Sequence, residues 1–237
     1  IIVFGGPQYP LEQKEQEAYL RSHPNIDFFI FREGEQAFVE LFNRLSDHQF
    51  SVENFKTSRV KSPNCHYVFE DDLIIGDLLT PIQNLDEIPS PYLTGLCDHL
   101  LEKGLVPIIQ TKKGCPFKCT FCEDGHDHFN RIRRFSLDRI KQEIEYIAKR
   151  SPAPTLMLAD LNFGMYEEDI EICQAIAKAQ KNYGWPNFFQ GILGKNKKDR
   201  VLEAASIVRG SFLSAAVQTS DPQVLKNIKR DNVSLEA

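Results

Sequence analysis

Short apolar runs alternate along this chain with stretches in which apolar residues recur at helical spacing. Ile1 to Phe4 is a continuous β-branched and aromatic run broken by Gly5-Gly6-Pro7, which predicts a strand closed by a tight turn. A polar, helix-favouring segment comes next, over 11–21. Ile26-Asp27-Phe28-Phe29-Ile30-Phe31 then predicts a second buried strand. The turn Arg32-Glu33-Gly34-Glu35 opens a helix with Phe38, Leu41, Phe42 and Leu45 at helical spacing. Strand, helix, strand, helix is the rhythm of a doubly wound, Rossmann-like α/β sheet, whose ligands bind beyond the carboxyl ends of the strands. We place this first α/β segment at residues 1–47.

Over 48–104 the periodicity weakens, and this stretch reads as a connector. Tyr67-Val68-Phe69 and Leu73-Ile74-Ile75 flank Glu70-Asp71-Asp72 and predict a small hairpin, and Pro89 and Pro91 stiffen the chain beyond it. From 105 to 237 the strand–helix alternation returns. Strands are predicted at Val106 to Thr111, Thr155 to Leu158, Asn187 to Ile192 and Phe212 to Val217. Helices come after them from Ser136 (Leu137, Ile140, Ile144 and Ile147 on one face), around Ile170, Cys173, Ile176 and Ala177, near Val201, Leu202 and Ala205, and after Asp221-Pro222 (Val224, Leu225 and Ile228 inward). These βα units predict part of a (β/α) barrel, with its active site at the carboxyl ends of the strands.

Composition narrows the class. At 237 residues, 42% hydrophobic and 26% charged, the chain is an ordinary globular one, and a net charge of −5 leaves no basic footprint for nucleic acid. No apolar run reaches the ~18 residues of a membrane span, so the expected compartment is the cytoplasm, where clustered cysteines read as metal ligands rather than disulfides. The chain begins inside a predicted strand without an initiator Met and ends just after a helix-like segment, and so reads as a fragment of a longer protein.

The chemistry concentrates between Gly114 and Gly125, where Cys115, Cys119 and Cys122 stand in the spacing C-x3-C-x2-C. Gly114 and Pro116 disfavour regular structure, leaving the backbone able to wrap a central object and aim soft thiolates at it. Three ligands leave one metal corner open, whereas structural zinc takes four. His126 and His128 lie close behind in sequence, so a Cys3His zinc site in a non-catalytic binding module is the competing reading. Arg131, Arg133 and Arg134 form a basic run that reads as the solvated start of a helix or as a surface for an anionic substrate. Cys65, Cys97 and Cys173 lack clustered partners.

The cysteine spacing, with Phe121 directly before the third cysteine, resembles the signature of the radical S-adenosylmethionine (SAM) enzymes. The resemblance implies that Cys115, Cys119 and Cys122 hold a [4Fe–4S] cluster. It also implies that SAM chelates the fourth iron and is cleaved reductively to a 5′-deoxyadenosyl radical. It places Phe121 near the cluster and the adenine, a position a core aromatic would equally explain. Asp160 and Asn162, past the second predicted barrel strand, fall where the family contacts the SAM amino group or ribose, although Ala159-Asp160-Leu161-Asn162 replaces the usual Gly-Gly-Glu-like stretch. Gln190 and Gln218, taken as ending strands three and four, are candidates to face SAM or substrate. Gly5, Gly6, Glu33 and Gly34 resemble the C-terminal half of the cobalamin-binding domain that precedes the barrel in one subfamily. The Asp-x-His-x-x-Gly loop that often ligates cobalt does not occur in this chain, so its own cobalamin binding stays open. The implied reaction is methyl transfer or another C–H functionalisation of a small molecule, with an electron donor such as flavodoxin or ferredoxin. No side chain is assigned a catalytic role.

Overall fold

The computed structural model describes residues 1–126 and 130–230, so His128 lies outside the described residues. The chain divides into two compact units, Ile1–Ile82 and the residues from Gln83 onward.

In the first unit, β1 (Val3–Gly5), α1 (Gln13–Ser22) and β2 (Phe28–Ile30) form a parallel crossover, in which Gly5 pairs with Ile30. All three residues of β2 are buried, which is why it reads as an unbroken apolar run: both faces of the sheet are covered there. On one side Phe28 and Ile30 pack with α2 (Glu35–Asp47) and with Phe55 of α3 (Val52–Thr57); on the other Phe29 packs with Tyr9 and Leu20. The inward stripe of α2 is Ala37, Leu41 and Leu45, while Phe38 and Phe42 are exposed, so helical spacing alone named the wrong pair of aromatics.

The hairpin β3 (Cys65–Phe69) and β4 (Asp72–Ile75) joins this same sheet, in the order β1-β2-β3-β4, with β2/β3 and β3/β4 antiparallel. The sheet is therefore mixed, with a single parallel pair. The hairpin at the centre of the expected connector is hydrogen-bonded into the first unit, and its Cys65 and Tyr67 share that unit's core.

The second unit begins with α4 (Asp98–Glu102) and the short β5 (Ile108–Ile109). It continues through β6 (Lys112–Lys113) and β7 (Arg133–Arg134), which pair antiparallel, to α5 (Leu137–Ala148). Then come β8 (Thr155–Leu158), α6 (Glu167–Tyr183), β9 (Phe188–Ile192), α7 (Lys198–Ile207), β10 (Ser211–Ser214) and α8 (Pro222–Asn227). β5, β8, β9 and β10 lie side by side and wholly parallel, as alternating βα units require. Ile109, Leu156, Leu158 and Phe189 point to the helix side and pack with Ile140, Ile144, Ile147, Ile172 and Ile176. The opposite face carries the register row Ile108, Met157, Gln190, Phe212, all exposed.

Local signals set the helix ends. The Ser136 hydroxyl accepts from Arg139 N, the Asp221 carboxylate accepts from Gln223 N and Val224 N, and Gly184 stops α6 at a φ of 69° that a side chain would resist. Val224 is exposed rather than inward. The basic run is not the start of a helix: Arg133 and Arg134 form β7, and Arg134 pairs with Glu168 at 3.3 Å. No helix among the described residues is long and apolar enough to cross a membrane.

Candidate functional site

The cysteine loop leaves the sheet just after β5 and is pinched at its base by the β6/β7 ribbon, Lys112 opposite Arg134 and Lys113 opposite Arg133. It therefore emerges at the carboxyl end of a parallel strand, where such folds carry their sites. Cys122 N donates to Cys119 O and Gly125 N to Cys122 O, winding the chain into consecutive tight turns. A Cβ on Gly125 would run into the Cys119 carbonyl, so the loop closes only with glycine there. The Asn130 side chain donates to Cys115 O at 3.1 Å and to Phe117 O at 3.2 Å, tying the return segment to the outward one.

Cys115 and Cys119 are buried and Cys122 is half-buried. Burial pushes the Cys122 thiol up; a hydrogen bond with the Asp124 backbone pulls the other way, and the charges of Asp124, Cys115 and Cys119 add to the rise. Among the described residues no group of three or more His, Cys, Asp or Glu side chains converges as a single ion requires. His126 is turned outward toward Glu123, 3.7 Å away, and is half exposed.

Asn162 meets the cysteine loop directly. It is 3% exposed, its Nδ2 donates to Cys115 Sγ at 3.2 Å, and its Oδ1 is buried with no hydrogen-bond partner. Asp160 is turned the other way. Its carboxylate accepts from Thr111 N at 2.7 Å, from the Thr111 hydroxyl and from Lys112 Nζ at 2.8 Å. Lys112 Nζ also donates to Asp169 at 2.6 Å, and Asp169 accepts from Gly164 N and Tyr166 N at the head of α6. Burial opposes the Lys112 ammonium, but Asp160 and Asp169 outweigh it and hold its pKa above the ordinary lysine value. Asp160 thus anchors the base of the loop, and of the two residues past β8 it is Asn162 that meets a cysteine sulfur.

Phe121 is 53% exposed, with the Arg230 guanidinium 5.8 Å from its ring centre. Arg230 is itself buried, 6% exposed, with Nη1 3.8 Å from Cys119 Sγ and Nη2 donating to Ala216 O. It was not among the expected site residues, and no local pattern marks it, because the contact spans 111 positions of sequence. Gln190 sits in the middle of β9 rather than at its end, on the open face of the sheet; Gln218 lies past β10, exposed, with a φ of 68°. In the other unit, Gly5 is the last residue of β1 and Gly6 comes directly after it, while Glu33 and Gly34 come after β2, so these four lie at or beyond the carboxyl ends of neighbouring parallel strands. Cys65 and Cys173 are fully buried, and burial pushes both thiols up to about 12, as expected of small core residues.

The model of the radical SAM superfamily matches residues 109–236, more than half of the chain. The cobalamin-dependent radical SAM methyltransferase TokK of Streptomyces tokunonensis is 32% identical across the whole chain, which covers 34% of that protein. The 2-(S-pantetheinyl)-carbapenam-3-carboxylate methyltransferase of Streptantibioticus cattleyicolor is 30% identical with the same coverage. The chain thus spans about a third of the length of these curated relatives. Among solved structures it resembles the cobalamin-dependent radical SAM enzyme OxsB with aqua-cobalamin and SAM bound. There the TM-score is 0.66 at 18% identity, over 99% of this chain and 33% of that one. It also resembles the radical SAM methyltransferase TsrM from Kitasatospora setae, with a TM-score of 0.62 at 13% identity, over 98% of this chain and 44% of that one. With its cysteine loop at the carboxyl end of a parallel α/β sheet and a family match over residues 109–236, the chain belongs to the radical SAM superfamily.

Proposed function

We propose that this chain carries the cluster-binding half of a radical SAM enzyme, with Cys115, Cys119 and Cys122 as the protein ligands of a [4Fe–4S] cluster and SAM at its open corner. The observation that carries the reading is a loop of three cysteines whose Cys115 sulfur is met by Asn162, the buried Oδ1 of which lacks a donor. A buried acceptor left unpaired costs about 1–3 kcal/mol, and the ammonium of a bound SAM would satisfy it. The chemistry such a cluster supplies when bound is one-electron reductive cleavage of SAM to methionine and a 5′-deoxyadenosyl radical.

The chain's own part is to hold and to orient. The Lys112–Asp160–Asp169 ion cluster fixes the loop base against the head of α6. Gln190, in its row with Ile108, Met157 and Phe212, offers a polar group among apolar neighbours, suited to orienting a small molecule. Methyl transfer is the reaction we favour, because both curated relatives above are named methyltransferases. Cobalamin would then be the methyl carrier, with Gly5, Gly6, Glu33 and Gly34 on its side of the first sheet, and a flavodoxin or ferredoxin would supply electrons.

Anaerobic reconstitution of the complete protein with iron and sulfide tests this. A brown protein that bleaches on dithionite and converts SAM to 5′-deoxyadenosine supports the reading, and Cys115→Ala, Cys119→Ala or Cys122→Ala must each abolish that product. A colourless, iron-free protein that holds zinc would instead establish the binding-module reading. Cobalamin retention, measured on the same preparation by its visible absorption, decides the methyl carrier.

A further inference from the structure

Two of the three cysteine sulfurs receive an N–H group from elsewhere in the fold. Asn162, on the loop after β8, donates Nδ2 to Cys115 Sγ at 3.2 Å. Arg230, just beyond α8, sets Nη1 3.8 Å from Cys119 Sγ, within reach of a large thiolate sulfur. Both side chains are more than nine-tenths buried, so water competes weakly with either contact. Neither is placed by chance rotation. Asn162 lies just past a strand pinned on both sides in the sheet, and Arg230 is held by its second bond to Ala216 O and by Thr120 N donating to Ile228 O, which fastens the end of α8 to the cysteine loop. With Cys115 ligated as a thiolate, turning the Asn162 amide over would put Oδ1 against it, lone pair to lone pair, so a ligated sulfur selects the orientation in which Nδ2 donates.

We propose that Asn162 and Arg230 set the reduction potential of the cluster by donating N–H groups to the Cys115 and Cys119 thiolates. The inference rests on the cluster reading above and extends it to residues that touch sulfur rather than iron. On reduction the bound group takes one electron from a donor of the flavodoxin or ferredoxin class, no bond is made or broken, and negative charge on the thiolates grows. An N–H donor, and more so a guanidinium, stabilises the more negative state and so raises the potential. Asn162 and Arg230 are positioning residues in this respect, and removing either makes the cluster harder to reduce.

The test is a potentiometric titration of the reconstituted complete protein, monitored by the electron paramagnetic resonance signal of the reduced cluster with SAM omitted. At the solution potential where the parent protein is half reduced, Asn162→Leu and Arg230→Met should each lower the ratio of reduced to oxidised cluster about tenfold, a fall of ~59 mV for a one-electron couple. Arg230→Lys keeps the charge and should recover part of the shift. Asn162→Asp, nearly isosteric, sets a carboxylate against the sulfur and should fall at least as far as Asn162→Leu; it is the variant to read if Asn162→Leu reduces iron loading. Variants that hold the parent's iron and sulfide yet titrate at its midpoint would overturn the inference and leave the cluster reading intact. A parent protein that takes up no iron would overturn both.

Discussion

Lys112 shows how much of this site rests on a residue that no motif marks. Its ammonium is 5% exposed and bonded to two carboxylates that are fully buried, Asp160 and Asp169. Removing the cation leaves two buried carboxylates with neutral donors but no counter-charge, and breaking a buried pair in this way costs ~3–5 kcal/mol. Lys112→Met should therefore lower the unfolding free energy of the second unit, measured by urea titration, by that much. The sequence displayed Asp160 as a strand-end carboxylate and so as a candidate for SAM; its engagement by Lys112 depends on a contact across 48 positions that spacing cannot show. His66 is a second such case. Its Nδ1 lies 3.3 Å from the Tyr9 hydroxyl, its Nε2 is buried without a partner, and burial lowers its pKa from 6.5 to about 4. Because the folded value is depressed, stability is complete above pH 6.5, where the unfolded histidine is also neutral, and is lost as pH falls from 6.5 to about 4. At ~1.4 kcal/mol per unit the loss approaches ~3 kcal/mol. Denaturant melts at pH 7 and pH 4.5 should show that decline, and His66→Leu should flatten it.

At the scale of elements, the alternation along β9 separates two kinds of aromatic that the sequence presents as one run. Phe189 is fully buried against the helices, whereas Phe188, its neighbour, is 42% exposed on the open face. Phe189→Ala should cost ~3–5 kcal/mol and Phe188→Ala less than ~1 kcal/mol, a contrast measurable by paired denaturation curves. The parallel order of β5, β8, β9 and β10 was legible from the βα rhythm because each unit is local and its handedness is fixed. The mixed first sheet was not: β3 pairs with β2 across the whole of α2 and α3, and nothing in a hairpin's own residues says which edge it will join. The cysteine loop was legible as chemistry and only partly as structure. Its closure depends on Gly125 packing on the Cys119 carbonyl, so Gly125→Ala should reduce iron bound per chain after reconstitution without shifting the unfolding midpoint of the sheet.

For the molecule as a whole, the open face of the second sheet is the feature that outlasts every assignment of residues. Ile108, Met157, Phe188, Ile192 and Phe212 are each between 38% and 61% exposed and lie in adjacent register rows around Gln190, so they form a largely apolar surface rather than scattered exceptions. Contiguous apolar area of this kind is uncommon on a finished monomer and usually marks a place where something binds. The alternation that created it was readable in the strands, since every second residue had to face away from the helices. That it stays uncovered among the described residues was not, because burial depends on which elements stack and not on periodicity. A hydrophobic dye reports on it. The polypeptide of residues 1–237 should enhance the fluorescence of such a dye while keeping a native near-ultraviolet dichroism, which distinguishes an open face from a loosened core. Met157→Gln with Phe212→Gln should remove most of the enhancement and leave the unfolding free energy within ~1 kcal/mol of the parent, because neither side chain contributes to the helix-side core. If the double variant kept the full dye signal, the fluorescence would be coming from mobile core packing, and the face would not be the open surface that the register describes.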